Sequence, residues 1–236
     1  MIELSGLFLK EIMLKLGFRR EWINLIMQCV SIVEYKVRIN EEEGERFKPT
    51  RGLRQGGPLS PYLFLLCTEG LNALLLHAEE NGNISGVKVC RDAPPVTNLL
   101  FADDSLILMK ANQHNAAALK STLELYCAAS GQLVSVEKSS IFFSSNTKVG
   151  IKEQLCTPLD IMTEALNDKY LGLPSNVGVD KIDCFKFLIE RIVKKISGWK
   201  EKLLSAGREE ILLKAVIQAI PTYVMSVFKI PNFFCK

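Results

Sequence analysis

The stretch "LLFADDSLIL", residues 99–108, sets two adjacent carboxylates, Asp103 and Asp104, inside an apolar run. Unpaired carboxylates are costly among apolar side chains, so their presence needs a reason. A tight turn between two strands readily takes Asp, whose side chain hydrogen-bonds nearby backbone. A divalent cation site is the second reading. Mg2+ prefers oxygen ligands and is held by one or two carboxylates together with substrate phosphates. Two such ions clamp the attacking and leaving oxygens of a phosphoryl transfer. A hairpin turn is a stiff mount for them, because both strands pack behind it.

The second stretch is "RGLRQGGPLSP", residues 51–61. Its simple reading is a Gly/Pro loop that caps a helix, with Ser60 as N-cap and Pro61 at the first helical position. Its chemical reading is a ligand cradle. Glycines such as Gly56 allow close backbone approach. The free N–H groups of a helix start favour phosphate. Arg51 and Arg54 add charge, and Gln55 both donates and accepts, as base edges and sugars require.

Several elements must position these residues. Helical spacing predicts a helix over 7–16 stopped by Gly17, and another over about 20–33 with Trp22, Leu25, Ile26, Cys29 and Val33 on one face. "YKVRIN" alternates as a strand, and "EEEGE" reads as a charged turn. The helix after Ser60 is apolar on most sides, which predicts burial. "ISGVKV" reads as a short strand, and "NLLFADDSLILMK" as strand, tight turn, strand. An amphipathic helix over 115–129 ends at Ser130-Gly131, "SSIFFS" reads as a strand, and "KYLGLP" as a short extended piece. Residues 181–220 carry long helical patterns, interrupted by Pro221. Between Lys181 and Lys214 there are nine Lys/Arg against five Asp/Glu, a mild excess that suits either a solvated face or a polyanion.

Composition excludes several classes. With 236 residues, 48% hydrophobic and 23% charged, the chain is globular. A net charge of +3 permits a polyanionic partner without requiring one. Seven scattered cysteines without a CxxC pair argue against a disulfide framework or a zinc site. They point to an intracellular, reducing compartment. His77 reads as a partner-satisfied helix residue and His114 as a polar loop residue, so a histidine metal centre or triad is not expected. Lys10, Glu11 and Lys15 break the first apolar segment, which rules out a signal peptide. No uncharged apolar run is long enough to span a bilayer, so no membrane partner is expected. Nothing in the sequence fixes the oligomeric state.

Together, "RGLRQGGPLSPYLF" followed by "FADD" resembles the reverse transcriptases of non-LTR, LINE-type retrotransposons, plant ones especially. "SGQLVSVEKSSIFFS" is similar to the segment after the family's metal-binding hairpin. "KYLGLP" is similar to its primer grip, and "ISGWKEKLLSAGREEILLKAVIQAIPTYVMSVFKIP" to the thumb of plant elements. The resemblance runs in order over nearly the whole chain. It implies an α+β right-hand polymerase palm, an antiparallel sheet with packed helices, over 1–176. A mainly helical thumb would follow over 177–236. It implies RNA-directed DNA synthesis with an RNA template, a DNA primer, deoxynucleoside triphosphates and two Mg2+ ions. Asp103 matches the principal metal ligand and Asp104 its neighbour. Arg51, Arg54, Gln55 and Gly56 match the loop that meets nucleotide and template. Lys138 matches the lysine that protonates the leaving pyrophosphate, or is a solvated loop lysine. Leu171 and Gly172 match the primer grip.

The chain also departs from the family. A further catalytic aspartate and the fingers would fall ahead of Met1. "MIELSG" does not match the tail of that motif, and Glu3 is the only nearby acid. Gly57 stands where many relatives carry a polar side chain. The expectation is therefore a fragment inactive as a separate chain. A domesticated, non-catalytic nucleic-acid-binding module is the alternative. An unrelated Mg2+ phosphoesterase would need more clustered carboxylates than the sequence offers.

Overall fold

The computed structural model describes residues 4–49, 52–53, 56–161, 169–174, 181–200 and 205–231. Two helices open the chain, α1 (Gly6–Lys15) and α2 (Arg20–Ser31). Ser5 caps α1 by accepting from the Phe8 amide. Next come strands β1 (Tyr35–Ile39) and β2 (Glu42–Phe47), then the long helix α3 (Ser60–Glu80). β3 (Val87–Lys88) pairs with β4 (Pro95–Val96), and β5 (Asn98–Phe101) with β6 (Asp104–Ile107). Helices α4 (Gln113–Ser130) and α5 (Val149–Leu159) follow, with a single 3-10 turn, Val136–Lys138, between them.

The rest comprises β7 (Lys169–Tyr170), β8 (Leu173–Pro174), α6 (Lys181–Lys200), α7 (Ala206–Leu212), a π-helical turn (Leu213–Ile217) and α8 (Ala219–Met225). The class is α+β. Among the described residues the strands form four separate two-stranded antiparallel ladders.

The chain divides into two compact units, Met1–Thr163 and Glu164–Lys236. That division falls ahead of the 176/177 boundary expected from sequence, and it puts β7 and β8 with the helices that follow them. In the first unit α3 is the central post, packed on α1, α4 and β5. Its first half joins Leu9 and Met13 of α1 and Ile23 and Ile26 of α2 in one apolar cluster. Its second half, Leu71, Leu75 and Ala78, meets Ile84 and, from α4, Leu119 and Tyr126. Close approach of α1 and α3 depends on Gly70: a Cβ there would lie 2.8 Å from Phe8 Cζ. The Phe8 ring also meets Tyr126 edge-on at 5.8 Å. In the second unit Phe185 and Leu188 of α6 pack with Val224 of α8 and Leu173.

Several expectations change. The turn of the first hairpin is Asn40–Glu41, both with positive φ, so only the first residue of "EEEGE" is in the turn and the rest lies in β2. Lys36 and Glu43 pair across the two strands, an exposed contact that favours the pairing modestly. On α2 the core takes Ile23 and Ile26, while Trp22, Leu25 and Cys29 are exposed. Apolar residues occupy two faces of that helix, and spacing alone does not say which one packs. His114 lies in the first turn of α4, whose cap is Asn112, its Oδ1 accepting from the Asn115 amide at 2.8 Å. His77 sits near the end of α3, bonded to Asn81 at 3.0 Å. α3 starts at Ser60 with Leu59 in the cap position, which puts Pro61 second. "SSIFFS" holds an isolated bridge at Ile141 and no strand. "KYLGLP" is a hairpin whose turn, Leu171–Gly172, has positive φ at both positions. Gly172 takes that conformation freely, and the ladder holds Leu171 in it. At Pro221 the missing N–H cannot pair with the carbonyl four residues back, and the π-helical turn directly precedes α8.

Candidate functional site

β5 and β6 pair from Asn98↔Ile107 to Phe101↔Asp104, which leaves Ala102 and Asp103 as a two-residue turn. Ala102 has φ +51, and a positive φ at the first central position is the pattern of a type II′ hairpin turn. Alternation then divides the strand residues between two faces. Leu100 and Ile107 pack onto the α3–α4 cluster. Leu99 and Phe101 are exposed on the other face. Asp103 and Asp104 are both exposed at the tip. The apolar run is thus a helix-backed hairpin, and its carboxylates escape the cost of burial by standing at the turn.

This tip fits a hard cation in part. Asp103 and Asp104 are adjacent exposed carboxylates, and carboxylate oxygen is the donor chemistry that suits Mg2+. Among the described residues no group of three His, Cys, Asp or Glu side chains is placed to hold a metal. The remaining coordination would have to come from water and substrate phosphate.

The cradle stretch is fixed at both described flanks. Leu53 is buried in the first cluster, and the Gly52 amide donates to the Leu4 carbonyl at 3.0 Å. Gly56 is exposed with φ +78, and the Ser60 amide donates to the Gly57 carbonyl at 3.2 Å, leading directly into α3. Arg51, Arg54 and Gln55 lie outside the described residues. Lys138 ends the 3-10 turn and is exposed. The Ser139 hydroxyl donates to the Ser135 carbonyl at 2.8 Å and closes that turn.

α3 therefore links two predicted features: the Gly56–Gly57 loop enters it, and β5 rests against it. Behind both, the Tyr126 hydroxyl bonds Gln132 Oε1 at 2.8 Å and lies 3.3 Å from the Cys67 carbonyl. Burial pushes the Cys67 thiol up to about 12. Burial, with Cys67 and Cys127 adding to it, also raises Tyr126 well above its ordinary value. Burial favours the neutral form of both groups.

Sequence reading missed a group of polar residues beside the turn. A cavity of about 210 Å³ is lined by Leu65, Thr68, Glu69 and Asn72 of α3 and by Asn98, Leu100 and Ala102 of the hairpin. Asn98 Nδ2 donates to Asn72 Oδ1 at 3.0 Å, and Asn72 Nδ2 to Glu69 Oε2 at 3.3 Å. The signal was present as polar residues interrupting apolar segments, but the partners are far apart in sequence.

In the second unit the Tyr223 hydroxyl donates to the Leu171 carbonyl at 3.1 Å and steadies the Leu171–Gly172 turn. A concavity of about 390 Å³ is lined by Gly172 and by Phe187, Glu190, Arg191 and Lys194 of α6. Among the described residues no helix is long and apolar enough to cross a membrane.

Comparison with known proteins follows the same residues. The family profile described as reverse transcriptase (RNA-dependent DNA polymerase) matches residues 7–175. An uncharacterized mitochondrial protein of Arabidopsis thaliana is 56% identical over 57 residues, which cover 24% of this chain and 47% of the relative. A putative ribonuclease H protein of the same plant is 38% identical over 50 residues, covering 21% of this chain and 8% of that relative. The matched segment thus spans about half of the first relative and under a tenth of the second.

Proposed function

The chain belongs to the reverse transcriptase (RNA-dependent DNA polymerase) family, and from that premise we propose that it is the palm-to-thumb portion of a LINE-type element's polymerase, related to plant retroelements. Residues 1–176 correspond to the palm and 177–236 to the thumb in this reading. The observation that carries it is the helix-backed hairpin with Asp103 and Asp104 at its tip.

Mg2+ bound there would supply charge neutralisation for phosphoryl transfer onto a primer end. The chain's own residues do the rest. Asp103 and Asp104 present carboxylate oxygens from a turn whose strands rest on α3. Gly56 precedes the start of the same helix, and in this reading it meets the nucleotide and template together with Arg51, Arg54 and Gln55. Lys138 donates a proton to the departing pyrophosphate. Leu171 and Gly172 hold the primer by turn backbone, and Arg191 and Lys194 beside them meet primer phosphates. RNA template, DNA primer and deoxynucleoside triphosphates are the partners, inside a reducing compartment.

This 236-residue chain alone does not extend primers in this proposal. Asp103 and Asp104 are joined by no third ligating side chain among the described residues, and two dications need more anionic oxygen than two carboxylates give. A second reading, a non-catalytic nucleic-acid-binding module, is favoured by the Gly172–Arg191–Lys194 concavity.

One experiment tests both. The purified chain is titrated with an RNA–DNA primer–template at rising salt, then supplied with Mg2+ and nucleotides. Salt-sensitive binding without extension is expected. Extension that disappears in Asp103→Ala would overturn the inactivity and strengthen the polymerase assignment. Absence of binding even at low salt would sink both readings.

A further inference from the structure

β5 reads "NLLF" and β6 "DSLI", so both faces of the hairpin offer apolar side chains. Strand register is normally fixed by an apolar face opposing a polar one. Here that rule fails. Leu100 and Ile107 face the α3–α4 cluster, yet Leu99 and Phe101 on the reverse face are as apolar and are exposed. A slip of one residue along α3 would bury Leu99 and Phe101 in their place. It would carry the turn about 3.4 Å and reverse its side chains. Metal and reaction geometry tolerate about 0.5 Å.

Resting on the metal-turn reading above, we propose that Asn72 and Asn98 are positioning residues that pin the register of the hairpin on α3, and through it the placement of Asp103 and Asp104. Asn98 occupies the first position of β5, on the α3 face with Leu100 and Ala102. It is half-buried there and donates to Asn72 Oδ1 at 3.0 Å, while Asn72 donates on to Glu69. In the slipped register Leu99 would meet Asn72, and the half-buried amide would lose its partner. Losing that partner disfavours the slipped register, where apolar side chains on both faces leave burial a poor discriminator. A single buried polar pair is a well-attested way of fixing register. The cavity of about 210 Å³ beside Ala102 leaves the turn little other support on that side.

The test uses the full chain with Asn98→Leu, Asn72→Leu, Asn98→Gln and Asp103→Asn. Methyl NOEs report the register directly. Wild type should show only Leu100 contacts to the Leu71–Leu75 cluster. Either leucine variant should add a second set from Leu99, and Asn98→Gln, which keeps a donor, should restore one set. Mn2+ affinity, read by electron paramagnetic resonance of the free ion, should fall on the order of tenfold in the leucine variants, as when an outer-shell partner of a metal ligand is removed. It should recover in Asn98→Gln. A single wild-type NOE set in both leucine variants would overturn the pin. Mn2+ binding indifferent to Asp103→Asn would overturn the metal reading instead, and the NOE result would still decide the register.

Discussion

The molecule contains two hairpins of nearly the same local design and very different setting. β1–β2 and β5–β6 are each isolated antiparallel pairs joined by two residues, and each turn puts a non-glycine residue at positive φ. β1–β2 buries nothing: Val37, Ile39 and Phe47 are all about half exposed or more. It is held by surface charges, Lys36–Glu43 at 2.5 Å and Glu34 with Lys48 at 3.4 Å, and by the Tyr35–Phe47 stack. β5–β6 lies on α3, with Leu100 and Ile107 on the core and Asn98 bonded to Asn72. A two-stranded ribbon is marginal by itself in water. The backing, not the turn, therefore makes one hairpin a rigid mount and leaves the other a surface feature.

The comparison breaks first if the backing does not matter. Leu75 is fully buried beneath β5–β6. Leu75→Ala should cost about 2–5 kcal/mol in denaturant unfolding, whereas Val37→Ala in β1 should stay within about 0.5 kcal/mol. Equal losses would erase the distinction.

Alkaline pH sharpens it next. The Cys67 thiol in the backing is raised from 9.0 to about 12. The unfolded chain therefore releases that proton first. Stability is complete below about pH 9 and declines as pH rises toward 12. Tyr126 acts in the same direction at higher pH. Thiol labelling at neutral pH should reach Cys29 and Cys90, which are exposed, and spare Cys67 until the fold opens. Early labelling of Cys67 would contradict the packed backing.

Turn strain gives a smaller effect. Ala102→Gly relieves a φ of +51 and should stabilise by about 0.4–1 kcal/mol, measured by thermal melting. Asn40→Gly in the other turn should gain less, because Asn tolerates the left-handed region. The smallest effect belongs to the surface charges: Lys36→Met should cost under about 1 kcal/mol and vanish at high salt.

What could be read from sequence follows the range of the interactions. The β5–β6 hairpin was legible because strand, turn and strand are contiguous, and α1 and α4 because their stops, Gly17 and Gly131, adopt left-handed backbone. The first turn was placed too late, over "EEEGE" instead of Asn40–Glu41, because a glutamate-rich segment has little strand propensity to mark it as β2. The Leu171–Gly172 turn was missed because a leucine at positive φ has no local signature. The buried face of α2 was read only in part: Ile26 was expected there and is buried, but Trp22, Leu25 and Cys29 competed with Ile23 for the rest. Helix α5, with Pro158 in its last turn, gave no clear pattern. Asn72–Asn98 is a long-range pair, so only packing brings it together.

The most direct test of the aspartate turn as a cation site is Mn2+-induced broadening of backbone amide resonances in the full chain. Broadening centred on residues 99–106 and abolished in an Asp103→Asn, Asp104→Asn double variant is the predicted result. Broadening centred elsewhere, or surviving that double substitution, would contradict it.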